Sequence, residues 1–371
     1  MRDSAKRSPN LSKVGLLLCA AIVLVGLGDV GAAEESESAV TTVAFGSCSK
    51  QRAGREQAVW GKIFAEEPQL FLFMGDNVYA DTTDMDVMRE KYQELADQPG
   101  YKKLRENCKV LAAWDDHDYG ANDAGAEYPK RAESQKVFLE FFEFPRDAPQ
   151  WSRPGIYSSH YFGPEGTRLQ VIMLDTRYFR SPLIRNPELV KRKTSHYLPN
   201  TKPGATILGE AQWKWLAEEL SKPADLRIIV SSIQIIPDEH FYEMWSNFPK
   251  ERSRLLNLIK GNRAGGVVLL SGDRHLAEIS RLPADGSVNA GYELTEITSS
   301  GLSEGSGNMK EINSYRVGSS NYCKPNYGLL KIDWDAAGGP VVTAGIKDTD
   351  GGQVFDVKLP LGELQHKGRG G

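Results

Sequence analysis

LFLFMGDNVY, residues 70–79, carries the decisive pattern: five apolar residues, a glycine, then Asp76, Asn77 and, three past the aspartate, Tyr79. A short apolar run bounded by Gly and polar residues reads as a buried strand. Gly75 lets the backbone turn sharply. The turn presents Asp76 at the strand end and brings the Tyr79 phenol to the same side. The arrangement recurs along the chain. VAFGSC (43–48) ends at Cys48, KVLAAWDDH (109–117) at Asp115, Asp116 and His117, and LQVIMLDTR (169–177) at Asp175 and Arg177. RIIVSSIQ (227–234) ends at Gln234, and VVLLSGDRH (267–275) at Asp273 and His275. Ligands of open α/β sheets bind just outside the carboxyl ends of the strands. Strands lying side by side would bring these polar ends to one rim. Buried charges need partners or metals, and bound cations are the economical way to hold such a rim together.

Helical spacing appears between the strands. Arg55–Glu66 places Ala58, Val59, Ile63 and Phe64 on one face. Asp84–Asp97 opens with acidic residues that complement a helix dipole and carries Met88, Tyr92 and Leu95. Further helices are expected over Arg131–Phe142, over Gly209–Ser221 with Trp213, Leu216 and Leu220, and over Pro249–Lys260 with Leu255, Leu258 and Ile259. Strand and helix in alternation predict an α/β class. After His275, strand-like runs at Glu278–Leu282, Tyr292–Thr298, Tyr327–Trp334 and Val341–Ile346 predict a second packed sheet without a separate domain. Gly305–Gly318 reads as a Gly/Ser-rich loop and Leu361–Gly371 as a tail.

With 40% hydrophobic and 25% charged residues and a net charge of -4, the chain has ordinary globular composition and no basic field for nucleic acid. Arg2, Lys6, Arg7 and Lys13 precede an apolar stretch, Val14–Leu27, and the small residues Gly31, Ala32 and Ala33. This predicts a signal peptide over 1–33 and a secreted or periplasmic product. Past it, no apolar run is long enough to span a bilayer. Residues 34–39 read as a disordered start, 40–348 as one catalytic domain and 349–371 as a C-terminal extension. Removal of the signal leaves Cys48, Cys108 and Cys323, an odd number. Cys48, at a strand end, is the special one. Cys108 and Cys323 are candidates for a disulfide in an oxidising compartment.

The strand-end residues point to metal chemistry. A phenolate such as that of Tyr79 suits a hard, highly charged metal. Asp273 and His275 alternate, so a bent backbone sends both to one cluster. Asp115-Asp116-His117-Asp118 is the densest acidic stretch, and adjacent carboxylates raise each other's pKa unless a cation neutralises them. Arg177 suits bidentate contact with phosphate and suits equally a salt bridge to the acidic rim. Gln234 reads as a loop cap or a weak ligand.

GSC around Cys48, GDNVY, WDDHD, LDTRYFR, LGEAQWKWL and SGDRH, in this order, resemble the PhoD-type alkaline phosphatase and phosphodiesterase family of the calcineurin-like metallophosphoesterases. The resemblance covers Val43 to Trp334. It implies a four-layer α/β/β/α sandwich and a centre that pairs Fe3+ with Ca2+. It implies Cys48, Asp76, Tyr79 and His275 as iron ligands, Asp76 as a bridge, and Asp116 and Asp273 as calcium ligands. That division agrees with oxygen donors for calcium and softer donors for iron. His117 matches a residue that contacts the phosphoryl or leaving group, and Arg177 a phosphate contact. The chain departs from the family pattern at Asp118, where Glu is common, and at Gln234, where related enzymes often have His or Asn. It also lacks twin arginines in the signal and a preceding β-sandwich domain.

The expected activity is hydrolysis of phosphate esters by in-line attack of a metal-activated hydroxide. A cysteine-phosphatase reading of Cys48 requires an arginine six residues on, and that position is Gly54. A secreted calcium-binding adhesion module is the non-enzymatic alternative. Cys48 and the Asp–His pair argue against it, because calcium prefers oxygen.

Overall fold

Along the strand that contains Phe73, alternate side chains enter different cores, as a pleated strand requires. Leu70, Leu72 and Met74 pack in one apolar cluster, Phe71 and Phe73 in another. The computed structural model describes residues 38–52, 54–188, 197–307 and 311–366. The expected signal peptide and all but the end of the 34–39 segment lie outside them.

In chain order the main elements are β1 (Thr42–Gly46), α1 (Val59–Ala65), β2 (Leu70–Met74), α2 (Met85–Ala96), α3 (Pro99–Asn107), β3 (Lys109–Ala113), α4 (Asp116–Tyr119) and α5 (Arg131–Phe141). Then come β4 (Ser158–Phe162), β5 (Leu169–Met173), the short pair β6 (Ile184–Arg185) and β7 (Tyr197–Leu198), α6 (Gly209–Ser221), β8 (Leu226–Ser231) and α7 (Pro249–Gly261). The chain continues through β9 (Val267–Ser271), β10 (Ala277–Leu282), β11 (Leu294–Ser299), β12 (Arg316–Tyr322), β13 (Asn326–Asp333), β14 (Val341–Asp348) and β15 (Gln353–Pro360).

The six apolar runs are all strands, and they divide between two sheets. One sheet has the order β15-β14-β13-β1-β2-β3, the other β12-β10-β11-β9-β8-β5-β4. β1, β2 and β3 run parallel, and so do β5, β8, β9 and β11. The outer face of the first sheet, with Ala44, Phe71, Phe73 and Ala112, packs on Trp60 and Ile63 of α1, Met88 and Tyr92 of α2, Leu104 of α3 and Phe138 of α5. Its inner residues Val43, Phe45, Leu72 and Leu111 join the apolar layer of the second sheet, and Trp213, Leu216, Leu255 and Ile259 of α6 and α7 extend that layer. Gln170 of β5 donates to the Glu219 carbonyl of α6, so that helix covers the far face of the second sheet. This is the expected four-layer sandwich.

Other expectations need correction. The strands after His275 build no sheet of their own. β10, β11 and β12 widen the second sheet, and β13, β14 and β15 flank β1 in the first. The Gly/Ser-rich stretch ends inside β12, where Arg316 pairs with Ser280. Leu361 and Leu364, read as tail, are buried, and the Leu364 carbonyl accepts from the Gly266 amide at 2.7 Å. Cys108 and Cys323 are both free thiols, not a disulfide. Among the described residues no helix is long and apolar enough to cross a membrane.

Candidate metal centre

The backbone leaves each strand abruptly at the rim. Cys48, Asp76, Asp273 and His275 all have positive φ, between 49° and 69°. Such a conformation costs a non-glycine residue on the order of 1–3 kcal/mol, and persists only where its surroundings over-determine it. Two glycines make the close approach possible. A Cβ on Gly75, itself at φ 102°, would lie 2.5 Å from the Asp115 Cβ, and one on Gly272 2.5 Å from the Ser47 hydroxyl.

Three groups of donor atoms result, each with its members within 4.8 Å of one another: Cys48, Asp76 and His275; Asp76, Asp116 and His117; and Asp76, Asp115, Asp116 and Asp273. Asp76 belongs to all three. The Tyr79 hydroxyl stands 3.4 Å from Asp76 Oδ2 and 3.0 Å from His275 Nε2, and Cys48 Sγ 3.3 Å from Asp76 Oδ2. Sulfur, phenol and imidazole therefore gather on one side of Asp76 and carboxylates on the other. The structure thus brings together every residue expected to hold a metal.

The electrostatics fit bound cations. Burial, and then the neighbouring Cys48 and Asp116, push the Asp76 carboxyl well above the usual carboxylate range. Burial pushes Asp273 up to about 7 and the Cys48 thiol up to about 12. Burial opposes ionisation of Asp116 too, but His117, Arg177 and the Asp123 amide hold it down at about 2. Asp115 Oδ2 is buried and has no hydrogen-bond partner. A buried, unpartnered carboxylate oxygen facing further carboxylates is the signature of a site shaped for a cation.

His117 stacks on Tyr79 with ring centroids 4.2 Å apart. Its Nδ1 lies 2.8 Å from both oxygens of Asp81. Burial would discharge this imidazole, but Asp116, Asp76 and Asp81 raise its pKa to about 11. The Asp81 carboxylate thereby fixes the ring through Nδ1.

Arg177 sits elsewhere than a phosphate contact would. Its side chain is 0% exposed and pairs with Asp115 and Glu243, and Arg180 grips the other oxygen of Glu243 at 2.8 Å. Asp175 caps a turn, accepting from Trp114, Ile156, Arg177 and Tyr178 at 2.9 Å each. Gln234 is buried away from the cluster, bonded to Glu278 and Thr298. Sequence reasoning missed Asp81, Ser232, Glu243 and Ser300. Ser232 donates to Asp115 Oδ1, and Ser300 reaches both Cys48 and His275. Only Asp81, two residues past Tyr79, carried any signal.

Alkaline phosphatase D of Bacillus subtilis (strain 168) is 25% identical over 281 residues, 66% of this chain and 47% of that protein. The chain thus spans about half the length of this curated relative. The solved structure of PhoD aligns with a TM-score of 0.62 at 17% identity, covering 90% of this chain and 74% of that one. A dimetal phosphatase from Danio rerio aligns with a TM-score of 0.51 at 11% identity, covering 89% of this chain and 100% of that one. These likenesses establish a shared fold. The sequence profile of the PhoD-like phosphatases matches residues 43–338, a span that takes in every donor of the cluster around Asp76, and the chain belongs to that family.

Proposed function

We propose that the protein is a secreted or periplasmic metal-dependent hydrolase of phosphate esters, a phosphodiesterase or alkaline phosphatase. The observation that carries this reading is the place of Asp76, common to a sulfur- and nitrogen-bearing donor group and an all-oxygen one. In this reading Cys48, Asp76, Tyr79 and His275 hold Fe3+. Asp76, Asp116 and Asp273, with the unpartnered oxygen of Asp115, hold Ca2+. When bound, the cations lower the pKa of a water and offset phosphoryl charge. His117, oriented by Asp81, donates a proton or hydrogen bond to the leaving oxygen. Arg177 acts at one remove by fixing Asp115. Residues 1–33 direct export and are removed, and 40–348 carry the catalysis.

The test is hydrolysis of a chromogenic phosphodiester before and after chelation, with metal content measured alongside. Activity should vanish on chelation and return with calcium and iron. Full turnover in protein shown to hold no metal would refute the reading.

A further inference from the structure

Ser300 follows β11 directly and is 0% exposed. Its backbone N–H is occupied by the Leu276 carbonyl at 2.9 Å. Its hydroxyl oxygen lies 2.8 Å from the His275 amide nitrogen and 3.1 Å from Cys48 Sγ. An amide N–H only donates, so the oxygen accepts from His275 through a lone pair. A serine hydroxyl has one proton, and the sulfur is the partner left to receive it. Two further hydroxyls face the sulfur: that of Ser47, 3.6 Å away, also faces the Ser299 carbonyl at 3.4 Å, and that of Tyr79 is engaged with Asp76 and His275. Ser300 is therefore the better-placed donor to Cys48.

We propose that Ser300 is a positioning residue of the metal centre: one hydroxyl fixes the His275 backbone and donates its proton to the Cys48 sulfur, setting the donor strength of the thiolate. The proposal rests on Cys48 as a metal ligand. A hydrogen bond to a ligating sulfur withdraws charge from it, and such bonds are among the levers that tune metal–thiolate centres. The single hydroxyl also joins the loop after β1 to the turn after β9, holding two ligands from different sheets at one distance.

The experiment uses the chain stripped with chelator and reloaded with cobalt(II), whose thiolate charge-transfer band reports on the sulfur. Ser300→Ala should move the band to lower energy, and Ser300→Thr, which keeps the hydroxyl, should restore it. An unmoved band in Ser300→Ala, or an equal shift in both variants, overturns the proposal. Should Ser300→Ala not fold, the metal–sulfur stretch of the unaltered protein, by resonance Raman in H2O and D2O, decides the matter. A deuterium shift is expected, and its absence overturns the proposal. Cys48→Ala separates the two readings. A charge-transfer band that survives Cys48→Ala removes Cys48 as a ligand, whereas a band lost there but indifferent to Ser300 removes only the role of Ser300.

Discussion

On one side of Asp76 stand a thiol, a phenol and an imidazole, and the hydroxyl of Ser300 ties Cys48 to the backbone amide of His275. On the other side stand carboxylates, and behind them is a buried guanidinium pair, Arg177 and Arg180, bridged by Glu243. Burial raises the pKa of Cys48 and Tyr79, and Cys48 is met by the neutral hydroxyls of Ser300 and Ser47; burial raises Asp115 as well, and there the Arg177 guanidinium works against it. Asp115 and Asp116 lie side by side at the strand end, and like charges at that separation need fixed positive charge.

The comparison breaks most completely at its hinge. Asp76→Ala should empty both halves and lower phosphodiester turnover by roughly 10³-fold or more, the several kcal/mol expected of metal catalysis. Elemental analysis beside the rate assay checks it, and a variant with normal metal content would count against the shared carboxylate. The carboxylate half alone breaks at Arg177. Arg177→Ala leaves Asp115 and Glu243 buried without their common cation, which should destabilise the fold by about 3–5 kcal/mol. Arg177→Lys should rescue little, because one ammonium cannot serve two carboxylates as a fork does. Urea unfolding of metal-free protein measures both. A milder change sharpens the contrast. Asp81→Asn should keep the metals yet slow hydrolysis of an alkyl phosphodiester by about 10²-fold, with a smaller effect on a nitrophenyl ester whose leaving group needs no proton. Equal slowing of both substrates would remove His117 as the proton donor.

What could be read from the residues alone follows the same divide. The six strands that lead to the rim were legible because their rim-proximal halves are buried on both faces, giving apolar runs that end at a polar residue. α6 falls on the expected Gly209–Ser221. The missed elements lie at edges and surfaces: β4, β12 and β15 are sheet-edge strands, and α3 buries only Tyr101 and Leu104. Polar positions there dilute any period. The donor residues of the cluster were legible because they directly follow strands. Ser300, Ser232 and Glu243 are ordinary residue types, brought in by loops distant in sequence, and only the assembled fold makes them neighbours. Arg177 was found, but a guanidinium suits phosphate and carboxylate alike, and its complete burial is what separates the two roles.

Cys48, Asp76 and Asp116 issue from the first sheet, Asp273 and His275 from the second. The width of the gap they span is thus set by Val43, Phe45, Leu72, Ile228 and their neighbours in the layer between the sheets. Close-packed interiors compress little and transmit strain. The greasy filling between the sheets works as a ruler for the mouth of the site, so trimming or enlarging one of its side chains is a way to retune the spacing of the site without altering any residue in it.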